Sequence, residues 1–330
     1  LTRVLGFGTA LPEFEVSPQA GRLALSQLWP QLTRARVEPV TRFTVRPLAE
    51  VLQPSPLAER MRTYSREAPR LARLAAERAL QAGGVEPAEV DAVVSVSCTG
   101  YMVPSLDVRL ANEMGFRPDL VRIPLTELGC SGGGAALGLA HRYLEAVPRA
   151  VVLVVCVELC SLTFSAADSS LDNLTASLVF GDGAAAVVLA NRPGGLQVTK
   201  VGSWMAANTE AVLGFELNDT GFHPVLDRSL PHLVAQELPA ALAAFGSGPG
   251  DFQAVHAGGP RIFDAVEAAL GLAPGGLKVS RQVFRSCGNI SSASLLFVLA
   301  AMPEVQGEGL ALAFGPGISF EMAALRRCPG

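Results

Sequence analysis

Two kinds of hydrophobic pattern alternate along this chain. Residues 92–100, AVVSVSCTG, and 150–158, AVVLVVCVE, are continuous β-branched runs, as expected for strands covered on both faces. Between 68 and 82 the period changes. Leu71, Leu74 and Ala75 fall on one face and Arg70, Arg73 and Glu77 on the other, which predicts an amphipathic helix ended by GGVEP. Helices are also expected from Ser17 to about Leu32, from about Leu106 to Met114 and over 131–146, the last apolar on nearly every face and so central. A mixed, proline-punctuated region precedes Arg60, and strands are expected within 1–15 and near Val121–Pro124. A polar loop, SAADSSLDN (165–173), then leads into SLVFGDGAAAVVLA (177–190), read as a glycine turn between apolar segments. Arg192-Pro193-Gly194-Gly195 is the best linker, dividing the chain into units 1–192 and 193–330.

The second unit repeats the plan of the first. Residues 79–100 have a counterpart in 241–260: helix, Gly-Pro loop, acidic residue, buried strand, polar turn. GCSGGGAALGLA (129–140) is echoed by CGNISSASLLFVLA (287–300), and FGDGAAAVVLA (180–190) by FGPGISFEMAA (314–324). Cys98 to His256 is 158 positions and Cys130 to Asn289 is 159, so the first two echoes agree in offset to within one position and imply an internal duplication. Each half is an alternating α/β unit with its helices on a mostly parallel sheet. Ligands in such folds sit at strand C-terminal ends, so Cys130, His256 and Asn289 are expected to converge.

Composition narrows the class. With 330 residues, 49% hydrophobic, the chain can bury a large core in one big or two medium domains. Aromatics are only 6% against 33 glycines, which suggests close backbone approach rather than ring packing. A net charge of -4 gives no support for a nucleic-acid binder, although Arg34, Arg36, Arg42 and Arg46 form either a solvated face or a local patch for an anionic substrate. The six cysteines, Cys98, Cys130, Cys156, Cys160, Cys287 and Cys328, form no CxxC pairs, and no zinc-site spacing accompanies Cys156 and Cys160. Free thiols in a reducing compartment are expected. LTRVLGFGTALP has no charged segment ahead of a long apolar core, and the apolar run Ala150–Val157 is too short to span a bilayer. The expectation is a soluble, cytoplasmic protein with no metal, whose start at Leu reflects trimming.

Cys130, in LTELGCSGGGAALGL (125–139), opens a small-residue helix, where unpaired N–H groups and the helix dipole favour a thiolate. Taken alone it reads first as a small buried residue, His256 as a core histidine and Asn289 as an N-cap. His141 reads as core, and His223 and His232 have no evident partner. Together at matched repeat positions, a cysteine, a histidine and an asparagine fit a papain-like hydrolase or an acyl-transferring condensing enzyme. The duplicated plan and the absence of papain-like cysteine signatures favour the second.

GCSGGG around Cys130, AVHAGGPRI around His256, CGNISSAS around Asn289 and AFGPGISFE resemble the type III polyketide synthases, the chalcone synthase-like branch of the thiolase superfamily. VSCTGYMVPSLD (96–107), VELCSLTF (157–164) and VFGDGAAA (179–186) match in the family's order, the first most like bacterial members such as tetrahydroxynaphthalene synthases. The resemblance implies a thiolase-like fold, two pseudo-symmetric α/β halves with mixed sheets layered around a central buried helix. It also implies an acyl-CoA starter held on Cys130 as a thiolate paired with His256, and a malonyl-CoA enolate stabilised by His256 and Asn289. Phe180 would favour loss of CO2 by disfavouring the carboxylate. A pyrone, resorcinol or small polyhydroxylated aromatic would follow, with no cofactor beyond the coenzyme A thioester substrates.

The resemblance further places Cys98, Thr163, Ala176, Ser291, Phe314, Gly315 and Pro316 at the substrate pocket, and Arg42 and Arg46 at coenzyme A. The family's second gatekeeper phenylalanine aligns with Pro224, with Phe222 two residues earlier as a substitute. Val103 matches a methionine that crosses a dimer interface, implying a homodimer. A carrier-protein-dependent ketoacyl synthase of the third type, or a catalytically silent thiolase-fold partner subunit, stays open beside this reading.

Overall fold

The computed structural model describes residues 1–30 and 39–327. Arg34, Arg36, Cys328 and the expected end of the first helix lie outside the described residues. In chain order the first half comprises β1 (Arg3–Ala10), β2 (Phe14–Val16), α1 (Pro18–Leu28), β3 (Arg42–Thr44), α2 (Leu48–Val51), α3 (Leu57–Gly83), β4 (Ala92–Val96), α4 (Leu106–Met114), β5 (Val121–Leu125), α5 (Gly132–Ala146), β6 (Val151–Leu159), α6 (Leu171–Val179) and β7 (Asp182–Ala190). The second comprises β8 (Leu196–Met205), β9 (Leu213–Asn218), β10 (Gly221–Leu226), α7 (Leu230–Phe245), β11 (Phe252–Val255), α8 (Pro260–Ala269), α9 (Lys278–Cys287), α10 (Ser294–Ala301), β12 (Gly307–Gly315) and β13 (Ser319–Arg327).

The main sheet runs β11-β12-β13-β8-β1-β7-β6-β4-β5. From β1 outward the pairings are antiparallel to β7, antiparallel to β6, then parallel to β4 and β5. From β8 they are antiparallel to β13, antiparallel to β12, then parallel to β11. The same order of directions appears twice, so the duplication is structural as well as textual. The halves join where Arg3 and Val4 pair with Gln197 and Leu196.

Helix α5 packs against β4 and β6 of the first half and against β8, β12 and β13 of the second, with α10 beside it. These two helices form the middle layer, and α3 covers the opposite face of β1, β6 and β7. Close approach is the means: a Cβ on Gly8 of β1 would lie 2.1 Å from the Ala75 carbonyl of α3. Strands β6 and β7 are buried along their whole lengths, which accounts for their unbroken apolar sequence.

Four expectations are corrected. The sheet is not mostly parallel: it is antiparallel from β12 through β13, β8, β1 and β7 to β6, and parallel only toward its two edges. Helix α3 begins at Leu57, not Ala68, because Pro69 sits inside the helix rather than opening it. The segment read as a loop and a turn holds α6: Ser170 caps it by accepting from Asn173 N at 3.2 Å, and Leu174 and Leu178 are buried one turn apart. The turn-and-helix units of the two halves open at Gly129 and Ser291, so the spatial counterpart of Cys130 is Ser292, with Asn289 lying just ahead of its turn.

Candidate active site

Cys130 occupies a 3-10 turn, Gly129–Ser131, that runs straight into α5. Pro316, from the loop after β12, packs on Gly129. The thiol is buried, and its Sγ lies 3.6 Å from Ser291 Oγ. Burial pushes it up to about 12, and the charge of Glu158 adds to this; hydrogen bonds from Ser291 and Asn289 pull the other way. The helix N-terminus that favours a thiolate in the sequence is thus opposed by desolvation.

Asn289 is held by its backbone in a parallel bridge to Phe180, its N–H meeting Val179 O at 2.8 Å and its carbonyl accepting from Gly181 N at 3.0 Å. A residue of the second half is thereby fixed against one of the first. Its Oδ1 accepts from Ser291 N (2.8 Å) and Ser294 Oγ (3.2 Å), so it braces the following turn while its Nδ2 donor is left for Cys130. Ser291 adopts a positive φ of 43°, a conformation few non-glycine residues take. Its hydroxyl lies between the two thiols, 3.4 Å from Cys98 Sγ.

His256 follows β11 directly, as Ser97 and Cys98 follow β4. It is fully buried, and neither ring nitrogen has a hydrogen-bond partner. Burial lowers its pKa to about 3, so the ring is neutral, with one donor and one acceptor to offer. Its ring meets Phe314 edge-on at 5.1 Å, and the next residue, Gly315, packs on Ser131. The loop 314–316 therefore connects the histidine to the cysteine's turn.

Cys130 opens into a cleft of about 920 Å3, part of it exposed to solvent. Phe180, Thr163, Ala176, Pro224, Ser291, Pro316 and Arg42 line it, among apolar walls from Leu25, Leu48, Val51, Leu52 and Phe164. His256, Asn289, Cys98, Phe314, Gly315, Phe222 and Arg46 do not line it. Arg42 is only 4% exposed, and Arg46 is half-buried with Nε enclosed and unpartnered. Among the described residues no group of three or more His, Cys, Asp or Glu is placed to hold a metal.

Two residues escaped the sequence reading. Phe215 is the direct cross-strand partner of Pro224 in the β9–β10 hairpin and lines the cleft, while Phe222 packs edge-on behind it at 5.9 Å. Glu158 is the last residue but one of β6 and is buried beneath the site. It accepts from the backbone N–H of Cys98 (3.1 Å) and Thr99 (3.2 Å) and from the hydroxyls of Thr99 (2.7 Å) and Ser292 (2.5 Å). Desolvation raises its pKa against those bonds. A lone acid closing an otherwise apolar strand was the signal available for it.

A buried thiol with neutral hydrogen-bonding neighbours and an apolar cleft in front suits acyl transfer better than hydrolysis. On two thiolase-like halves around a shared middle layer, that defines a condensing acyltransferase. The chain matches the chalcone and stilbene synthases, their N-terminal domain over residues 45–193 and their C-terminal domain over 198–329. It belongs to that family, the type III polyketide synthases, which join coenzyme A thioesters by decarboxylative condensation.

Among its relatives, the 1,3,6,8-tetrahydroxynaphthalene synthase of Streptomyces coelicolor is 36% identical over 294 residues, 86% of this chain and 79% of that one. The phloroglucinol synthase of Pseudomonas fluorescens is 31% identical over 88% of this chain and 86% of its own. A crystal structure of tetrahydroxynaphthalene synthase from S. coelicolor superposes with a TM-score of 0.93 at 32% identity, covering 99% of this chain and 100% of the other.

Proposed function

We propose that the units 1–192 and 193–330 build one reaction centre, the first contributing Cys130 and the second His256 and Asn289. Cys130 Sγ attacks the carbonyl of a starter acyl-CoA; the thioester bond to coenzyme A breaks, the thiol proton leaves with the coenzyme A thiolate, and the acyl group stays on the protein. Malonyl-CoA then loses CO2, and its enolate oxygen takes hydrogen bonds from Asn289 Nδ2 and the His256 N–H. The enolate carbon attacks the Cys130 thioester, forming a carbon–carbon bond and releasing the sulfur.

Asn289 carries this reading: its carboxamide oxygen is committed to Ser291 N, which leaves the donor end for the reacting atoms. A neutral His256 suits the same task, since it donates without adding a second cation. Phe180, Thr163, Ala176, Pro224 and Pro316 bound the space in which the chain grows and closes to a pyrone, resorcinol or small polyhydroxylated aromatic. The relatives that form tetrahydroxynaphthalene and phloroglucinol agree with such products. The active form is a homodimer acting in the cytoplasm, a reading in keeping with five free cysteines among the described residues.

The test is a panel of short and long acyl-CoA starters with malonyl-CoA. The purified protein is expected to release CO2 and condensed products, and Cys130→Ala to form none. Absence of turnover across the panel overturns the proposal.

A further inference from the structure

Arg42 is the feature of the cleft that this chemistry leaves without a task. Its stem leaves β3 beside Gly181 and Gly288, the neighbours of Phe180 and Asn289, and its guanidinium lies flat on Gly21 of α1, where an added Cβ would come within 2.9 Å of both terminal nitrogens. Arg42 as a whole is 4% exposed and lines the same cleft as Cys130.

Burial of such a cation is expensive unless its five N–H donors are met. Among the described residues its hydrogen bond is a long one, 3.4 Å from Nη1 to Leu178 O, a carbonyl that Val40 N already meets at the same length. No carboxylate lies within ion-pair distance of it among the described residues. Asp182 acts on it from farther away, and its oxygens are occupied by Val45 N, Ser161 N and Ser161 Oγ.

Apart from Ser291, whose hydroxyl sits between the Cys98 and Cys130 thiols beside the reacting sulfur, the other polar side chains of the cleft have no donor to spare. The hydroxyls of Thr44, Thr99, Ser161, Thr163 and Ser177 donate to Arg46 O, Glu158, Asp182, Cys160 O and Asn173 O, and Asn173 spends its amide on the carbonyls of Ser165 and Asp168. Away from the reacting sulfur, Arg42 is thus the lining donor set still open to a ligand.

We propose that the cleft takes an acyl chain bearing an anionic oxygen and that Arg42 binds it. That oxygen is either a carboxylate at the far end of the starter or an enolised carbonyl of the growing chain. The proposal rests on Cys130 as the acyl carrier and narrows what it carries. Aliphatic starters of equal size fill the same walls but leave the guanidinium unmet.

Acylation of Cys130, followed by intact-protein mass, tests it with two starters of matched shape, succinyl-CoA and 4-methylpentanoyl-CoA. Wild type is expected to load the carboxylate roughly tenfold or more faster, the scale of a charge-assisted hydrogen bond. Arg42→Met keeps the stem and is expected to lose that preference, succinyl loading falling roughly tenfold relative to 4-methylpentanoyl loading. Gly21→Ala displaces the head without removing the charge and is expected to weaken the preference too. If the oxygen belongs instead to the growing chain, loading shows no preference, and acetyl-primed reactions with malonyl-CoA give shorter products in both variants. The proposal is overturned if neither the loading preference nor the product length depends on Arg42, or if both starters fall together in Arg42→Met. No acylation by any thioester takes down the Cys130 reading as well, whereas acylation without Arg42 dependence leaves that reading standing.

Discussion

Glu158 shows how one side chain can organise a site it does not enter. Its carboxylate gathers the 97–99 loop of the first half and the Ser292 hydroxyl of the second onto the end of β6. It also sets potential: its charge raises the pKa of Cys98, Cys130, Cys156 and Cys160, after burial in each case. Replacing it by an uncharged group of the same shape removes negative potential, which favours the thiolate and moves titration to lower pH. In Glu158→Gln, the pH at which iodoacetamide alkylates Cys130 is therefore expected to fall relative to wild type. Between pH 6 and 10, below the thiol's own titration, alkylation at any fixed pH should be faster in the variant, and an equal or slower rate contradicts it. Cys130, Cys156 and Cys160 stay buried and Cys98 half-buried either way; what changes is the ease of making one of them nucleophilic.

At the scale of elements, the decisive contact is α5 against the turn that opens α10. A Cβ on Gly133 would lie 2.3 Å from Ser292 O, backbone that cannot yield without parting the two halves. Gly138, one turn and a half further along the same helix, has nothing nearer than Val201 Cβ at 3.7 Å. Gly133→Ala is expected to destabilise by about 1–3 kcal/mol through overpacking and to abolish condensation, because it moves Cys130 relative to Asn289. Gly138→Ala is expected to be neutral or to stabilise by ~0.5–1 kcal/mol, the helix-propensity difference between the residues. Denaturant unfolding of the pair checks this; equal effects at the two sites would remove the close-contact argument.

For the whole molecule, the cleft is a product of assembly: α1, α6 and the 163–164 segment come from one half, the β9–β10 hairpin and Pro316 from the other. Arg60, buried in α3, ties the two by donating to Leu162 O (3.2 Å), Phe164 O (3.1 Å) and Thr220 O at the hairpin. A second surface is left uncovered. Tyr101 and Val103, on the loop that continues from Cys98, are 70% and 77% exposed, unusual for large apolar side chains beside a reaction centre. A second copy covering that loop is expected, so the purified chain should sediment as a dimer and Val103→Asp should shift it toward monomer. A wild-type monomer at micromolar concentration refutes the dimer.

Much of this was legible in one dimension. Cys130, His256 and Asn289 each stood at a strand end or helix start, and the small-residue run after Cys130 announced a helix with no room around it; the glycine contacts bear the latter out. Element type follows from local periodicity, and a duplication from the order of like segments, so the sequence alone determined the α/β class, the two halves and the family. What it could not determine depends on which groups face each other across elements. The register of the 3-10 turns made Ser292 the counterpart of Cys130, strand pairing put Phe215 on the cleft with Phe222 behind it, and packing on Gly21 enclosed Arg42. Desolvation likewise has no local signature. A thiol at a helix start reads as reactive until the walls that strip its water are in place, and only the tertiary structure supplies those walls.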